Sequence, residues 1–181
     1  MRIHGPKLKK AAAEKGLTAE ALGQVVARTG LPTDRAAAAV GNWMRGADHP
    51  RCKAEDINRL AQALGVAPAK IAKFTCVFRA SRGSPRKAKL LTDLIRGKSL
   101  DDALNLLTFT TKRAAVDVKK ALNAAFSDAQ QANADANALV VAESMVDDGP
   151  RMKRFQPKDR GRAHRIIKRM SHISIALEER A

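Results

Sequence analysis

Nine basic side chains crowd a twenty-one-residue stretch near the end of this sequence: Arg151, Lys153, Arg154, Lys158, Arg160, Arg162, Arg165, Lys168 and Arg169, against a single acid, Asp159. The chemistry open to such a set is the binding of phosphate. A planar guanidinium can engage two phosphate oxygens at once, and a lysine adds a compact point charge. Acid–base catalysis is a poorer reading. His164 and Asp159 offer an acid and a base, but no nucleophile, second positioned group or metal cluster accompanies them, so the sequence predicts no enzyme and no cofactor. Cys52 and Cys76 stand 24 positions apart without a CxxC pair or nearby histidines, which argues for neither a zinc site nor a disulfide.

The whole chain of 181 residues carries a formal net charge of +16, from 34 Lys and Arg against 18 Asp and Glu. Such a field attracts polyanions. Split after Thr75, the chain holds 13 basic and 6 acidic residues (+7) and then 21 and 12 (+9). Pro150 to Met170 alone supplies +8 of that second figure, nine basic residues less one acid. No apolar run approaches the ~18 residues of a membrane span, and Met1 to Lys10 lacks the apolar stretch of a signal peptide, so a cytoplasmic protein is expected, with no membrane partner.

A run of charge on a solvated face is the ordinary reading of such a stretch. Here turn residues interrupt it and strands flank it. Gly149, Pro150, Pro157 and Gly161 punctuate the segment. Before it, Leu139, Val140 and Val141 open a strand. After it, Ile173, Ile175 and Leu177 alternate with His172, Ser174 and Ala176, a period of two that buries one face. A long protruding β-hairpin over about 146–173 follows. Two arms of about a dozen residues at ~3.3 Å each would reach ~40 Å. An isolated two-stranded ribbon is marginal in water, so its partner is expected to order it. His172 is read as structural, and Phe155, among so many charges, as a nucleic-acid contact.

Three helices precede the strands. Ser84 and Pro85 read as an N-cap and first-turn proline, Leu90, Leu91, Leu94 and Ile95 as the apolar face, and Gly97 as the stop. Ser99 with Asp102 is a variant capping box before Leu100, Ala103, Leu104 and Leu107. Thr111 starts the third helix, with Ala114, Ala115, Val118, Ala121, Leu122 and Ala125 on one side. The fold class is therefore α+β, three helices packed on a small antiparallel sheet.

Several motifs in this second part, in colinear order over about Val77 to Glu179, carry a resemblance: Ser84-Pro85-Arg86-Lys87-Ala88, Asp93-Leu94-Ile95-Arg96-Gly97-Lys98, Ala103-Leu104-Asn105, Val146-Asp147-Asp148-Gly149-Pro150, Lys153-Arg154-Phe155, Gly161-Arg162-Ala163 and Ser171-His172-Ile173. This stretch resembles the bacterial large-subunit ribosomal protein family twenty-two. The resemblance implies a structural constituent of the large ribosomal subunit that binds its rRNA, neighbours other large-subunit proteins, aids assembly, and lines the nascent-peptide exit tunnel with its hairpin. It implies rRNA contacts at Ser84, Arg86, Lys87, Lys89, Arg96, Lys98 and the nine hairpin cations, and a tunnel hairpin built on Gly149, Pro150, Phe155, Pro157, Gly161 and Ala163. The chain departs from the family's pattern at Asp159, at Ser127 to Ala132 and at Gly83.

The first part, 1–75, reads as a separate small all-α domain, and 76–181 as the ribosomal domain. Gly16 before Leu17 and Thr18, Gly30 with Leu31 and Pro32, and Gly65 with Pro68 mark helix stops and starts, and a short strand is expected over Phe74 to Arg82. Leu17-Thr18-Ala19-Glu20, Asn42-Trp43-Met44-Arg45-Gly46 and Leu60 to Val66 resemble the helix-turn-helix domains of phage repressors. That resemblance implies nucleic-acid contacts at Asn42 and Arg45. The alternative it raises is a sequence-specific DNA-binding regulator; the plainer reading is a helical bundle cored by Trp43, Leu22, Leu60 and Leu64, kept as a docking extension.

Overall fold

The computed structural model describes residues 1–28 and 31–180. They divide into two compact units, one of residues 1–28, 31–74, 128–135 and 178–180, the other of Thr75–Ser127 with Ala136–Leu177. The first unit is thus completed by two short stretches from later in the chain.

In the first unit, strand β1 (Arg2–Ile3) leads into helices α1 (Gly5–Glu14), α2 (Ala19–Val26), α3 (Thr33–Met44), α4 (Ala54–Leu64) and the single turn α5 (Pro68–Ile71). The punctuation residues act as expected. Gly16 takes φ +64, Thr18 caps α2 by accepting from the Ala21 N–H at 3.4 Å, Gly65 ends α4 at φ +61, and Pro68 opens α5. Gly30 lies outside the described residues. Leu8, Leu22, Val26, Val40, Trp43, Ile57, Leu60 and Leu64 form the core. The Trp43 indole N–H, buried with its ring, donates to the Pro50 carbonyl at 2.6 Å. Gly23 lets α2 and α3 meet, since a Cβ there would lie 2.6 Å from the Ala37 nitrogen.

Strand β2 (Ala72–Ser81) is longer than the short strand expected and starts earlier. Its first residues pair antiparallel with β1, Ile3 opposite Ala72 and Arg2 opposite Lys73.

The second unit contains the rest of β2, helices α6 (Pro85–Ile95), α7 (Leu100–Phe109) and α8 (Ala114–Gln131, to Ser127), then strands β3 (Leu139–Asp148), β4 (Met152–Pro157), β5 (Ala163–Lys168) and β6 (Ser171–Glu179, to Leu177). β6 lies between β2 and β3, whereas β4 and β5 form a separate two-stranded ribbon. Ile173, Ile175 and Leu177 are buried, as are Leu139 and Val141 and, on the helices, Leu91, Ile95, Leu100, Leu107, Val118 and Leu122. Ala176 is buried too, contrary to the wet face expected for it, because β6 is a central strand.

Three local expectations need correction. The buried face of α6 is Ala88, Leu91, Thr92 and Ile95, at steps of three and four, and Leu90 and Leu94 fall one position off that stripe, 60% and 43% exposed. Helix α8 begins at Ala114 rather than Thr111. At Ser99, Asp102 donates its N–H to the serine Oγ at 3.2 Å, but its carboxylate accepts from that same hydroxyl at 2.7 Å. Aspartate, one methylene shorter than the glutamate of a full capping box, reaches the hydroxyl instead of the backbone.

Candidate nucleic-acid interface

The ribbon pairs Met152 with Lys168, Lys153 with Ile167, Arg154 with Ile166, Phe155 with Arg165, Gln156 with His164 and Pro157 with Ala163. Opposed residues in an antiparallel ladder share a face. Lys153, Phe155, Arg165 and Ile167 therefore line one side, and Met152, Arg154, Ile166 and Lys168 the other. Every cation in the ladder faces an apolar residue and none faces a second cation, so repulsion across the strands is kept low. With six residues per arm the ladder spans about 20 Å, half the reach expected from the sequence, because Gly149 closes the base by donating to the Met170 carbonyl at 2.9 Å and residues 158–162 are spent on the turn.

At the tip the Lys158 N–H donates to the Arg162 carbonyl at 2.7 Å. Arg160 (φ +56) and Gly161 (φ +69) both turn left-handed. Glycine adopts that conformation freely; for an arginine it is uncommon. Asp159, the lone acid, accepts at its backbone carbonyl from the Arg162 N–H at 3.3 Å and so takes part in building the turn.

Phe155 is 74% exposed and Ile167 50%, which rules out a core role for either. Arg151 sits 3.3 Å from Asp148 at the root, and Arg154 donates to the Lys153 carbonyl at 2.8 Å. Lys153, Lys158, Arg160, Arg162, Arg165, Lys168 and Arg169 form no ion pair among the described residues.

The helical candidates divide. Arg86, Lys87 and Lys89 are exposed on the first turns of α6. Arg96 is engaged internally: its guanidinium lies 2.8 Å from the Asp93 carboxylate and donates to the Ser144 carbonyl of β3. Beside it the Gly97 N–H donates to the Val141 carbonyl at 2.8 Å, and the Val141 N–H to the Lys98 carbonyl at 2.9 Å. The Arg96–Lys98 stretch is thus a brace between helix and sheet, while the Lys98 side chain remains exposed. Ser84 stands at the N-cap of α6 without a side-chain capping bond.

A cavity of about 410 Å³ brings Arg82, Gly83 and Ser84 together with Met152, Ile167, Lys168, Arg169 and Met170. Two candidate groups far apart in sequence, the start of α6 and the root of the hairpin, therefore share one surface. Arg82, Lys112 and Arg113 belong to this basic neighbourhood and were missed in the sequence, since each stands outside the arginine-rich run and beside no motif. The dibasic pair just ahead of the α8 apolar stripe was the available signal.

In the first unit, Asn42 Nδ2 donates to the His49 carbonyl at 3.1 Å. Arg45 donates to Asn42 Oδ1 at 2.6 Å and to the Gly41 carbonyl at 3.2 Å. These bonds close the end of α3 over the following loop, the work of a structural cap. Helix α2 ends at Val26 and α3 begins at Thr33, farther apart in sequence than the three or four residues that usually join the helices of the DNA-binding motif. Buried Cys52, whose thiol is pushed up to about 12 by burial and then by Asp56 and Asp48, offers no nucleophile at neutral pH.

Among the described residues no group of His, Cys, Asp and Glu is arranged to hold a metal ion, and no helix is long and apolar enough to cross a membrane. The family model for ribosomal protein L22p/L17e matches residues 77–178, more than half of the chain. The chain belongs to this family. It is a structural protein of the large ribosomal subunit that binds rRNA, and its partners are rRNA and other ribosomal proteins. The L22p/L17e family is one of structural components of translation, not of enzymes. The match runs from β2 through the helices and the ribbon into β6, and leaves residues 1–76 outside it.

Proposed function

We propose that the β4–β5 hairpin is the rRNA-penetrating arm of this protein, that its tip lines the nascent-peptide exit tunnel, and that its insertion helps the large subunit assemble. The observation that carries the reading is the hairpin itself, where eight cations without ion pairs among the described residues stand on a two-stranded ribbon and its turn that bury almost nothing of their own. Such a ribbon gains little from folding alone and much from a polyanion. Arg86, Lys87, Lys89 and Lys98 extend the contact along the helical side, Arg151 and Arg154 join it from the ribbon, and Arg96 supports it from beneath. Should six to ten phosphates be neutralised, affinity falls roughly 10³- to 10⁵-fold between about 50 and 200 mM salt.

Exposed Phe155, with Gly161 and Ala163 near the tip, supplies the small and apolar surface that a peptide-lined wall needs beside its phosphate contacts. A photo-reactive residue placed at Phe155 or Arg160 should cross-link to a stalled nascent chain, whereas one at Lys98 should cross-link to rRNA only. Absence of nascent-chain adducts from both tip positions in assembled ribosomes would remove the tunnel assignment.

A further inference from the structure

A second cavity, about 570 Å³, opens between the starts of α6 and α8. We propose that it is a socket for one phosphate of the RNA backbone, held by the first turns of both helices and by the hydroxyl of Ser171. The proposal rests on the RNA-binding reading above and adds to it a place where the backbone is gripped away from the hairpin.

Each helix start carries the positive end of the helix dipole; Pro85 has no N–H, and those of Lys87, Ala115 and Val116 already donate to the Ser84, Lys112 and Arg113 carbonyls, which leaves the Arg86 and Ala114 N–H groups for a ligand. Both helices are long enough to matter, α6 with 11 residues and α8 with 18. At α6 the Ser84 side chain makes no capping bond, so the end is not closed from within. Around the two ends stand Arg82, Lys87, Lys112 and Arg113, none in an ion pair among the described residues. The acid in the wall, Asp117, has its carboxylate taken by the Ser81 hydroxyl at 2.6 Å. Four cations against one carboxylate leave the cavity net positive.

The independent sign of a ligand is Ser171. It lines the cavity, it is fully buried, and its Oγ has no hydrogen-bond partner. A buried hydroxyl left unpaired is costly and calls for an explanation. An oxygen of a bound phosphate would accept from it and close the network that the helix ends begin. The volume lies in the range of small-ligand sites, larger than a bare phosphate requires, and Leu90 supplies an exposed apolar wall for the attached sugar or base. A phosphate carried on an RNA strand therefore fits better than a free ion.

The test is an amide-resolved titration of the full chain with a short RNA oligonucleotide and, separately, with inorganic phosphate, following Arg86, Ala114 and Ser171. Saturable shifts at these amides are expected with both, at lower concentration for RNA. Ser171→Ala should weaken binding of phosphate about 10-fold, the worth of one hydrogen bond to a charged group. Lys112→Gln combined with Arg113→Gln should lower the slope of log Kd against log salt for RNA by about one to two. Shifts no larger than at exposed surface amides, or no effect of either variant, would overturn the socket. Saturation by inorganic phosphate without any change in RNA binding would make it a free-anion site and overturn the assignment to RNA. Ala substitutions at Lys153, Arg154, Arg160 and Arg162 separate the two ideas. If these weaken RNA binding while the socket variants do not, the socket fails and the hairpin reading stands; if neither set has an effect, both fail.

Discussion

The first unit and the hairpin are both rich in basic residues, yet only in the first unit are some of them drawn into half-buried ion pairs that join distant parts of the chain. In the first unit Arg28 lies 3.1 Å from buried Asp56, Lys7 and His4 lie 3.3 and 3.2 Å from Glu178, and Arg45 is tied to Asn42. In the hairpin the sole ion pair among the described residues is Arg151 with Asp148, at the root. Charges that have found partners inside a unit complete its fold. The other eight hairpin cations, which form no ion pair among the described residues, need a counter-charge from outside, and the alternation of cation with apolar residue across the ladder keeps such a set foldable until the partner arrives.

The comparison can be broken first through the core of the first unit. Trp43→Ala removes a fully buried ring and its bond to Pro50, and should cost about 3–5 kcal/mol. Hydrogen exchange at amides of α2 to α4 should speed up accordingly, with the salt slope of RNA binding unchanged. Next in size is Gly23→Ala, whose new methyl would meet the Ala37 backbone at 2.6–2.7 Å. The helices must then part, at about 1–3 kcal/mol, read as a lower urea midpoint.

Arg45→Ala sharpens the contrast more gently. It removes exposed bonds and should cost under about 1 kcal/mol. A loss of nucleic-acid affinity beyond that in a duplex-binding assay would return Arg45 to a recognition role. The smallest effect concerns His4, whose imidazole is held below its ordinary 6.5 chiefly by burial, against the pull of Glu178. The unfolded chain then binds the proton more readily. This contribution is present above pH 6.5 and is lost as pH falls below that value toward the folded-state pKa. Urea midpoints at about pH 7.5 and 5.5 should differ more for the native chain than for His4→Asn, which keeps a capping side chain.

How far the sequence foretold this depended on the kind of signal. Helix ends were legible at Gly16, Thr18, Gly65 and Pro85 because capping and turn chemistry is local. The alternation of Ile173, Ile175 and Leu177 marked β6 for the same reason, a short period read directly. Leu90 and Leu94 misled, since leucine type alone does not say which of two adjacent stripes faces the core, and the smaller Ala88 and Thr92 took the buried places. Arg82, Lys112 and Arg113 were invisible as a group because only the folded chain brings the starts of α6 and α8 to one cavity. The hairpin's composition was plain from the sequence; its register and its shorter reach depend on where Gly149 and Met170 close the base and where Lys158 and Arg162 close the turn.

The central claim is that the hairpin cations, Arg151 excepted, form no ion pair among the described residues and meet phosphate in RNA. It is tested most directly by the salt dependence of rRNA binding for the intact chain and for a variant with Lys153, Arg154, Arg160 and Arg162 all changed to Ala. The slope of log Kd against log salt should fall by up to about four, roughly one for each lost phosphate contact. An unchanged slope would show that these side chains do not meet phosphate, and the account of the hairpin would be contradicted.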